Sequence, residues 1–431
     1  MKGLSGIKDI FRSLKYRNFR LFFMGQSISL IGTWMQRVAL PWLVFHMTGN
    51  IFLVGVVSFA AQIPAFLLAS FAGVMSDRWN KYRIIITTQS LSMVQAIILT
   101  ILFYSGSIAI WNIIVLSIIM GCINAFDIPA RQSFYIQMVG KSDLGNAIAL
   151  NSSMVNSARL LGPSIAGILI ATAGEGMCFL INGASYMVVI VSLLSMRISL
   201  KRNPKKEVQV MKELKEGFAY VFGFAPIRSV ILLLALVSLM GMPYNILMPD
   251  FAKTVLKGDA HTYGFLMGAS GLGALSGAIY LAWRKDISGM GRLIAMAAGI
   301  FGSGLIILSF SRMFSLSLIL MVIAGFGMML QIASSNTLIQ TVTDDDKRGR
   351  VMSFYAMAFM GIMPFGSLME GWIARDIGTP WMMFIGGAAC IAGGILFARK
   401  LPVINRDVRP IFISLGILDD VPSENLSSSE M

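Results

Sequence analysis

The sequence predicts an all-α integral membrane protein with twelve transmembrane helices in two pseudo-symmetric six-helix halves, and three observations predict it. Of 431 residues, 56% are hydrophobic and only 13% charged, too few charges to cover a soluble surface. The chain divides into twelve apolar runs of about 20 residues or more, the length that spans a bilayer core as a helix: roughly 19–45, 52–75, 84–104, 109–130, 147–172, 177–196, 228–248, 263–283, 293–310, 315–339, 351–372 and 380–399. Two patterns also recur half a chain apart. Gln137-x-Val-x-x-x-Asp143 returns as Gln340-x-Val-x-x-x-Asp346, and Asp77 with Arg83 returns as Asp286 with Arg292, each pair after the equivalent span of its half. The units are then a bundle at 1–196, a linker at 197–227, a second bundle at 228–401 and a tail at 402–431, which leaves no segment for a soluble domain.

The net charge of +14 acquires its meaning from where the charges fall. Of the 35 Lys and Arg, 29 lie before the first span, in the even-numbered connections or in the tail; Lys253, Lys257, Arg312 and Arg375 lie on the other side, and Arg37 and Arg159 lie inside spans. By the positive-inside rule both termini are cytoplasmic. The basicity then reflects topology and contact with anionic lipid, not nucleic-acid binding. The apolar run after the basic start is too long for a cleaved signal and has no small-residue cleavage site, so the first span is retained.

Taken in order, residues 1–18 set Lys8, Arg12, Lys15 and Arg17 among Ile7, Ile10, Phe11 and Leu14, an amphipathic pattern suited to the membrane surface. The first span contains Gln26, Trp34, Gln36 and Arg37. A charge in a span costs about 2.5–3.5 kcal/mol on insertion scales, so it faces a wet cavity or a partner. Gln36 and Arg37 are therefore candidates for the substrate pathway; the alternative for Arg37 is snorkelling to the outer interface.

Between the second and third spans, Asp77, Arg78, Lys81 and Arg83 fall within seven positions, whereas 38–76 and 84–126 carry no Asp, Glu, Lys or Arg. Gly73 permits a tight turn at a helix end, and Asp77 gains from nearby arginines or a helix N-terminus. Such a loop can latch two bundles, or it can simply fix topology. The pattern Gly73-x-x-x-Asp77-Arg78-x-x-Lys81-x-Arg83 resembles the motif A loop of the major facilitator superfamily, from which Trp79 and Asn80 depart.

The fourth span ends in Asn124-Ala-Phe-Asp127-Ile-Pro-Ala-Arg131, and the run through Asp143 into Leu-Gly-Asn-Ala resembles the exporter branch of that superfamily, which includes enterobactin exporters and macrolide efflux proteins. Gly140-Lys141-Ser142 mimics the end of a phosphate-binding loop. Tyr135 stands where that loop needs glycine, however, and no strand precedes it, which disfavours an ATP-driven pump. The fifth span carries Asn156, Arg159, Gly162-Pro163 and Gly167. A mid-span Gly-Pro removes a backbone hydrogen bond and leaves a bare surface for packing. It resembles the antiporter motif of proton-coupled exporters, with Ala166 in place of one glycine. Asn156 and Arg159 are candidates for the substrate pathway; alternatively Arg159 bonds to nearby carbonyls or to Asn156.

In the linker, 210–222 suggests a surface helix. In the eighth span, Gly264-x-x-x-Gly268 and Gly273-x-x-x-Gly277 permit close helix approach. Arg348-Gly349-Arg350 before the eleventh span resembles a signature of the same exporter branch; Asp77 is its natural partner across the halves, with Asp127 and Arg131 extending the network. Glu370, near the outer end of the eleventh span, is an ionisable candidate for the proton or substrate pathway. His46 and His261 lie in outer loops, and no cluster of His, Cys, Asp or Glu in the spans has ligand or catalytic spacing. Cys122, Cys178 and Cys390 have no paired spacing and read as packing residues. No metal, cofactor or enzymatic centre is expected.

The resemblance implies a monomeric secondary transporter of the bacterial inner membrane that exports a small drug-like or siderophore-like molecule in exchange for protons by alternating access. The two intramembrane arginines suggest an anionic substrate. The alternatives are a proton-coupled importer of the same fold or a membrane-embedded enzyme.

Overall fold

The computed structural model describes residues 11–197, 210–284 and 287–417, apart from the side chains of residues 70, 74, 76–78 and 210–214. Twelve helices are long and apolar enough to cross a membrane. In the first half these are α1 (Arg17–Thr48), α2 (Ile51–Arg78), α3 (Lys81–Tyr104), α4 (Ile110–Val139), α5 (Leu144–Ala173) and α6 (Glu175–Leu194). After a linker helix, α7 (Val210–Gly223), come α8 (Ala225–Val255), α9 (Ala260–Trp283), α10 (Met290–Phe310), α11 (Phe314–Val342), α12 (Arg348–Ile377) and α13 (Thr379–Arg399). A final helix, α14, covers Leu401–Ser414.

The helices outrun the apolar stretches, mostly at the basic end. There α4 continues past Arg131 to Val139, because hydropathy reports lipid exposure whereas backbone hydrogen bonding continues into the interface. This corrects the expected turn at Gly73. Gly73 lies inside α2, which runs to Arg78, and the turn is Trp79-Asn80, where the Asn80 side chain accepts from the N–H groups of Tyr82 and Arg83 and caps α3. The side chains of Asp77 and Arg78 lie outside the described residues, as does Asp286.

Three further expectations change. Of the amphipathic stretch 1–18 expected at the membrane surface, residues 1–10 lie outside the described residues, and 12–15 form a 3-10 turn that is pinned to the start of α5. Arg12 Nε and Lys15 Nζ lie 2.6 and 2.9 Å from the Asp143 carboxylate, and Tyr16 donates to it at 2.8 Å. The tail expected from 402 begins as α14, an amphipathic helix that buries Ile404, Val408 and Phe412, so the second unit extends beyond 401. The histidines lie in helices, not loops: His46 in the last turn of α1, 3.2 Å from Glu175, and His261 in the first turn of α9.

Two helices are broken inside the membrane. Pro243 has no N–H, so α8 turns over 241–243, resumes at Tyr244 and finishes in a π turn at Phe251–Val255. A second π turn, Met357–Gly361, interrupts α12. Both breaks face the interface between the halves.

The halves meet at the end remote from the basic face, where small residues bring backbones together. A Cβ on Gly264 would lie 2.6 Å from Gly167 Cα and from the Pro163 carbonyl, and one on Gly55 would lie 2.6 Å from the Ser367 carbonyl. Trp42 of α1 stacks on Tyr263 of α9 with ring centroids 5.6 Å apart, and Lys253 sits over the Phe45 ring. This end is closed.

Candidate functional site: a cavity between the halves

Below that closure a cavity of about 1300 Å³ runs between the halves to the basic end. Its walls reach from Trp34 and Tyr263 to Gln132 on one half and Asp346 and Arg350 on the other. Its upper part is set by residues of α1 and α5. Gly162 allows α5 to approach so closely that a Cβ there would lie 2.5 Å from Trp34 Cβ. With Trp34 seated this way, the Arg37 and Arg159 guanidinium carbons lie 5.1 and 5.8 Å from its ring centroid. One indole therefore carries two cations, an arrangement each pair of which is worth about 0.5–2 kcal/mol. Arg159 also reaches Met328 Sδ of α11 at 3.9 Å, a contact across the halves. Among the described residues neither arginine forms an ion pair, although Arg37 is exposed to the cavity.

Gln36, one residue earlier, is buried and belongs to a chain of amides. Asn182 of α6 donates to Gln36 at 2.8 Å, Gln36 donates to Gln95 of α3 at 3.1 Å, and Gln95 reaches the Leu116 carbonyl of α4. The chain ties four helices of the first half behind Arg37 and satisfies groups that would be costly unpaired in a membrane interior. Thr33 and Tyr186 sit beside it, 3.3 Å apart. On the other half, Tyr244 and Ser270 are 2.6 Å apart, directly after the break in α8.

The structure thus brings Gln36, Arg37, Arg159 and Pro163 to one cavity. Two expected members lie elsewhere. Asn156 does not line the cavity and donates to the Ser152 carbonyl of its own helix at 2.9 Å. Glu370 is buried within the second half beside α13, with Ser367, one turn away, as the cavity-lining residue of that stretch. Gly167 serves the closure and not the cavity. Trp34, Tyr263, Gln95 and Asn182 were not among the expected site residues. The amides were visible as polar breaks in apolar runs, but aromatic residues are too common in spans to single out Trp34.

At the open end the charges pair within each half. Asp127 accepts from Thr88 at 2.7 Å and Gln89 at 3.0 Å and forms an ion pair with Arg131, which locks α3 to α4. Arg348 pairs with Asp345 at 2.5 Å, and Arg350 with Glu216 of α7 at 2.7 Å. The expected contact of these arginines with Asp77 falls on a side chain outside the described residues. Lys81 is buried at the start of α3, and Arg83 is exposed. Among the described residues no three His, Cys, Asp or Glu are grouped to hold a metal.

The sequence profile of the family described as "Transmembrane secretion effector" matches residues 9–412. The chain belongs to that family of major facilitator transporters, in its efflux branch. Relatives similar to this chain include the staphyloferrin A transporter of Staphylococcus aureus, 25% identical over 379 residues, which cover 88% of this chain and 95% of that one. Macrolide efflux protein A of Streptococcus pyogenes is 21% identical, covering 91% and 98%, and the enterobactin exporter of Shigella boydii is 25% identical, covering 77% and 79%. These relatives are transporters, not enzymes. A bacterial homologue of the iron transporter ferroportin, solved in an inward-facing state, superposes with a TM-score of 0.67 at 16% identity, covering 89% and 98% of the two chains. It shares the fold.

Proposed function

We propose that this transporter exports a small anionic molecule from the bacterial cytoplasm in exchange for protons, by alternating access, and that the open basic end faces the cytoplasm. The single observation that carries the reading is the cavity itself: open at one end, sealed at the other, with two guanidinium groups at its closed end that form no ion pair among the described residues. The charge asymmetry of the connections supports cytoplasmic termini, and the exporters among the relatives support the direction. An unpaired guanidinium deep in a membrane is costly. One that meets a carboxylate or phosphate there makes charge-assisted, often bidentate hydrogen bonds. The substrate enters from the cytoplasm, bridges Arg37 and Arg159 over Trp34, and leaves after the halves rock about the fixed site.

The test is efflux of an anionic and a cationic compound panel from cells whose proton gradient is collapsed while ATP is held constant. Efflux of anionic compounds should stop. Efflux that persists would overturn proton exchange, and an influx driven by the same gradient would overturn the direction.

A further inference from the structure

Glu370 is 1% exposed, and among the described residues no donor or cation pairs with it; its Oε1 has no hydrogen-bond partner. A buried carboxylate without a partner is strongly disfavoured, whereas the neutral acid is tolerated and can donate. Its surroundings supply acceptors. Pro243 has no N–H to give the Leu239 carbonyl, and the Tyr244 N–H goes to the Gly241 carbonyl at 3.3 Å, so the break in α8 deprives Leu239 and Met240 of their helical donors. The Met240 carbonyl points at Gly386 of α13, where an added Cβ would overlap it and lie 3.9 Å from Glu370 Oε1. A freed carbonyl at a broken membrane helix is an acceptor suited to a proton or cation.

The position of Glu370 links this carboxyl to the closure. Gly371, the next residue, packs on α2: a Cβ there would lie 3.1 Å from the Ile51 carbonyl and 3.3 Å from Gly55 Cα. Ser367, one turn towards the basic end, lines the cavity with an unpartnered Oγ. Of the packed elements, α2 carries no charge before Asp77, and α13 presents the Cys390 thiol. The charges of α8 (Arg228, Asp250, Lys253), Arg399 of α13, and Arg375 and Asp376 of α12 form no ion pair with Glu370.

We propose that Glu370 is the coupling site of the second half: it is buried only as the neutral acid, so the outer closure of α12 on α2 forms when it binds a proton and opens when it loses one. This rests on the proton-exchange reading. When α12 leaves α2, water reaches the carboxyl, which takes a proton from the outer solution. The O–H bond formed there travels neutral through closure and is broken by proton release past Ser367 into the cavity, leaving a carboxylate that drives the closure open again. The ionised form cannot return, so an empty carrier resets only with its proton.

The experiment needs no substrate. Dicyclohexylcarbodiimide, an apolar reagent that adds to protonated carboxylic acids, is applied to the purified full chain in nanodiscs, and the adducts are mapped by mass spectrometry. At neutral pH Glu370 should be modified and Asp127, bonded to Arg131, Thr88 and Gln89, should not; modification should fall at least fivefold as pH rises. Gly371→Leu, which forces α12 from α2 and hydrates the carboxyl, should reduce neutral-pH modification by a similar factor in protein that remains monodisperse. Unmodified Glu370 in folded wild type overturns the proposal, as does equal modification with and without the closure. If Gly371→Leu does not fold, proton uptake on acidification decides: Glu370→Gln should bind one proton fewer than wild type, and equal uptake overturns the proposal. Efflux that persists without the gradient in the earlier assay, with normal Glu370 modification, would instead locate the failure in the antiport reading.

Discussion

At the scale of single residues, Arg159 separates ligand binding from scaffolding. Arg159→Lys keeps the charge but loses the planar fork that grips a carboxylate bidentately. Affinity for anionic compounds should fall about tenfold, or ~1.4 kcal/mol, at unchanged membrane abundance, measured by binding to purified protein. Arg37→Gln should shift preference away from anions in the same assay. Asp143 makes a different point. Hydrogen bonds from Lys15 and Tyr16, with the Arg12 charge nearby, hold its carboxyl below the ordinary range, and the bond to Asp143 raises Lys15. The carboxyl's contribution is complete above its unfolded value of about 3.9 and is lost as pH falls through the lower folded value. That of Lys15 is complete below about 10.4 and is lost only above its folded value. The latch on residues 12–16 therefore holds across neutral pH, and hydrogen exchange should show the segment released by Asp143→Asn at neutral pH and in wild type only in strong acid. Arg37 and Arg159 were legible because charge in an apolar run is rare. The Asp143 latch was not, since nothing in sequence says that its repeat counterpart Asp346 faces the cavity mouth while Asp143 is surrounded by cations.

At the scale of helices, the pattern that carries most is the spacing of small residues. Gly264 and Gly268 of α9 face α5 across the halves, whereas Gly273 and Gly277 face α11 within one half. The same motif therefore serves a contact between the halves in one place and a contact within one half in the other. The spacing was readable, but its partner was not, because a helix face does not declare which neighbour covers it. Gly264→Leu must overlap the α5 backbone, and overpacking of about 1–3 kcal/mol moves a two-state equilibrium roughly 5- to 150-fold. The protein should then populate the outer-open state, seen as increased labelling of a cysteine placed at the Trp42–Tyr263 stack by a membrane-impermeant reagent added from outside. Gly273→Leu should instead lower folded yield without that change in labelling. Hydropathy located all twelve helices and missed their ends, since residues beyond the lipid still form helical hydrogen bonds.

At the scale of the whole molecule, the two halves are related in sequence but unequal in duty: the first supplies the cations and the amide chain, the second the broken helices and Glu370. The duplicated motifs foretold the halves and could not foretell this asymmetry. The conformation also explains why the charges at the basic end pair locally. With that end open, Arg350 is held by Glu216 of α7, which also packs Phe218 on Phe354 with centroids 6.2 Å apart. The linker helix is thus bonded to the second half through Arg350, and we propose that a closed basic end presents that arginine to Asp77. Closing would exchange one partner for the other, and charge-assisted hydrogen bonds of about 1.5–3 kcal/mol are large enough to decide which state is populated. Asp77→Asn should therefore weaken the outer-open state and slow efflux about tenfold or more with membrane abundance nearly unchanged. Glu216→Gln should act in the opposite sense on the populations, because it frees Arg350 for the latch. Distances between spin labels on the basic ends of α2 and α12 report both: Asp77→Asn should lengthen their mean and Glu216→Gln shorten it. Shifts of the same sign in both variants would remove the exchange of partners, and normal efflux by Asp77→Asn would remove the latch.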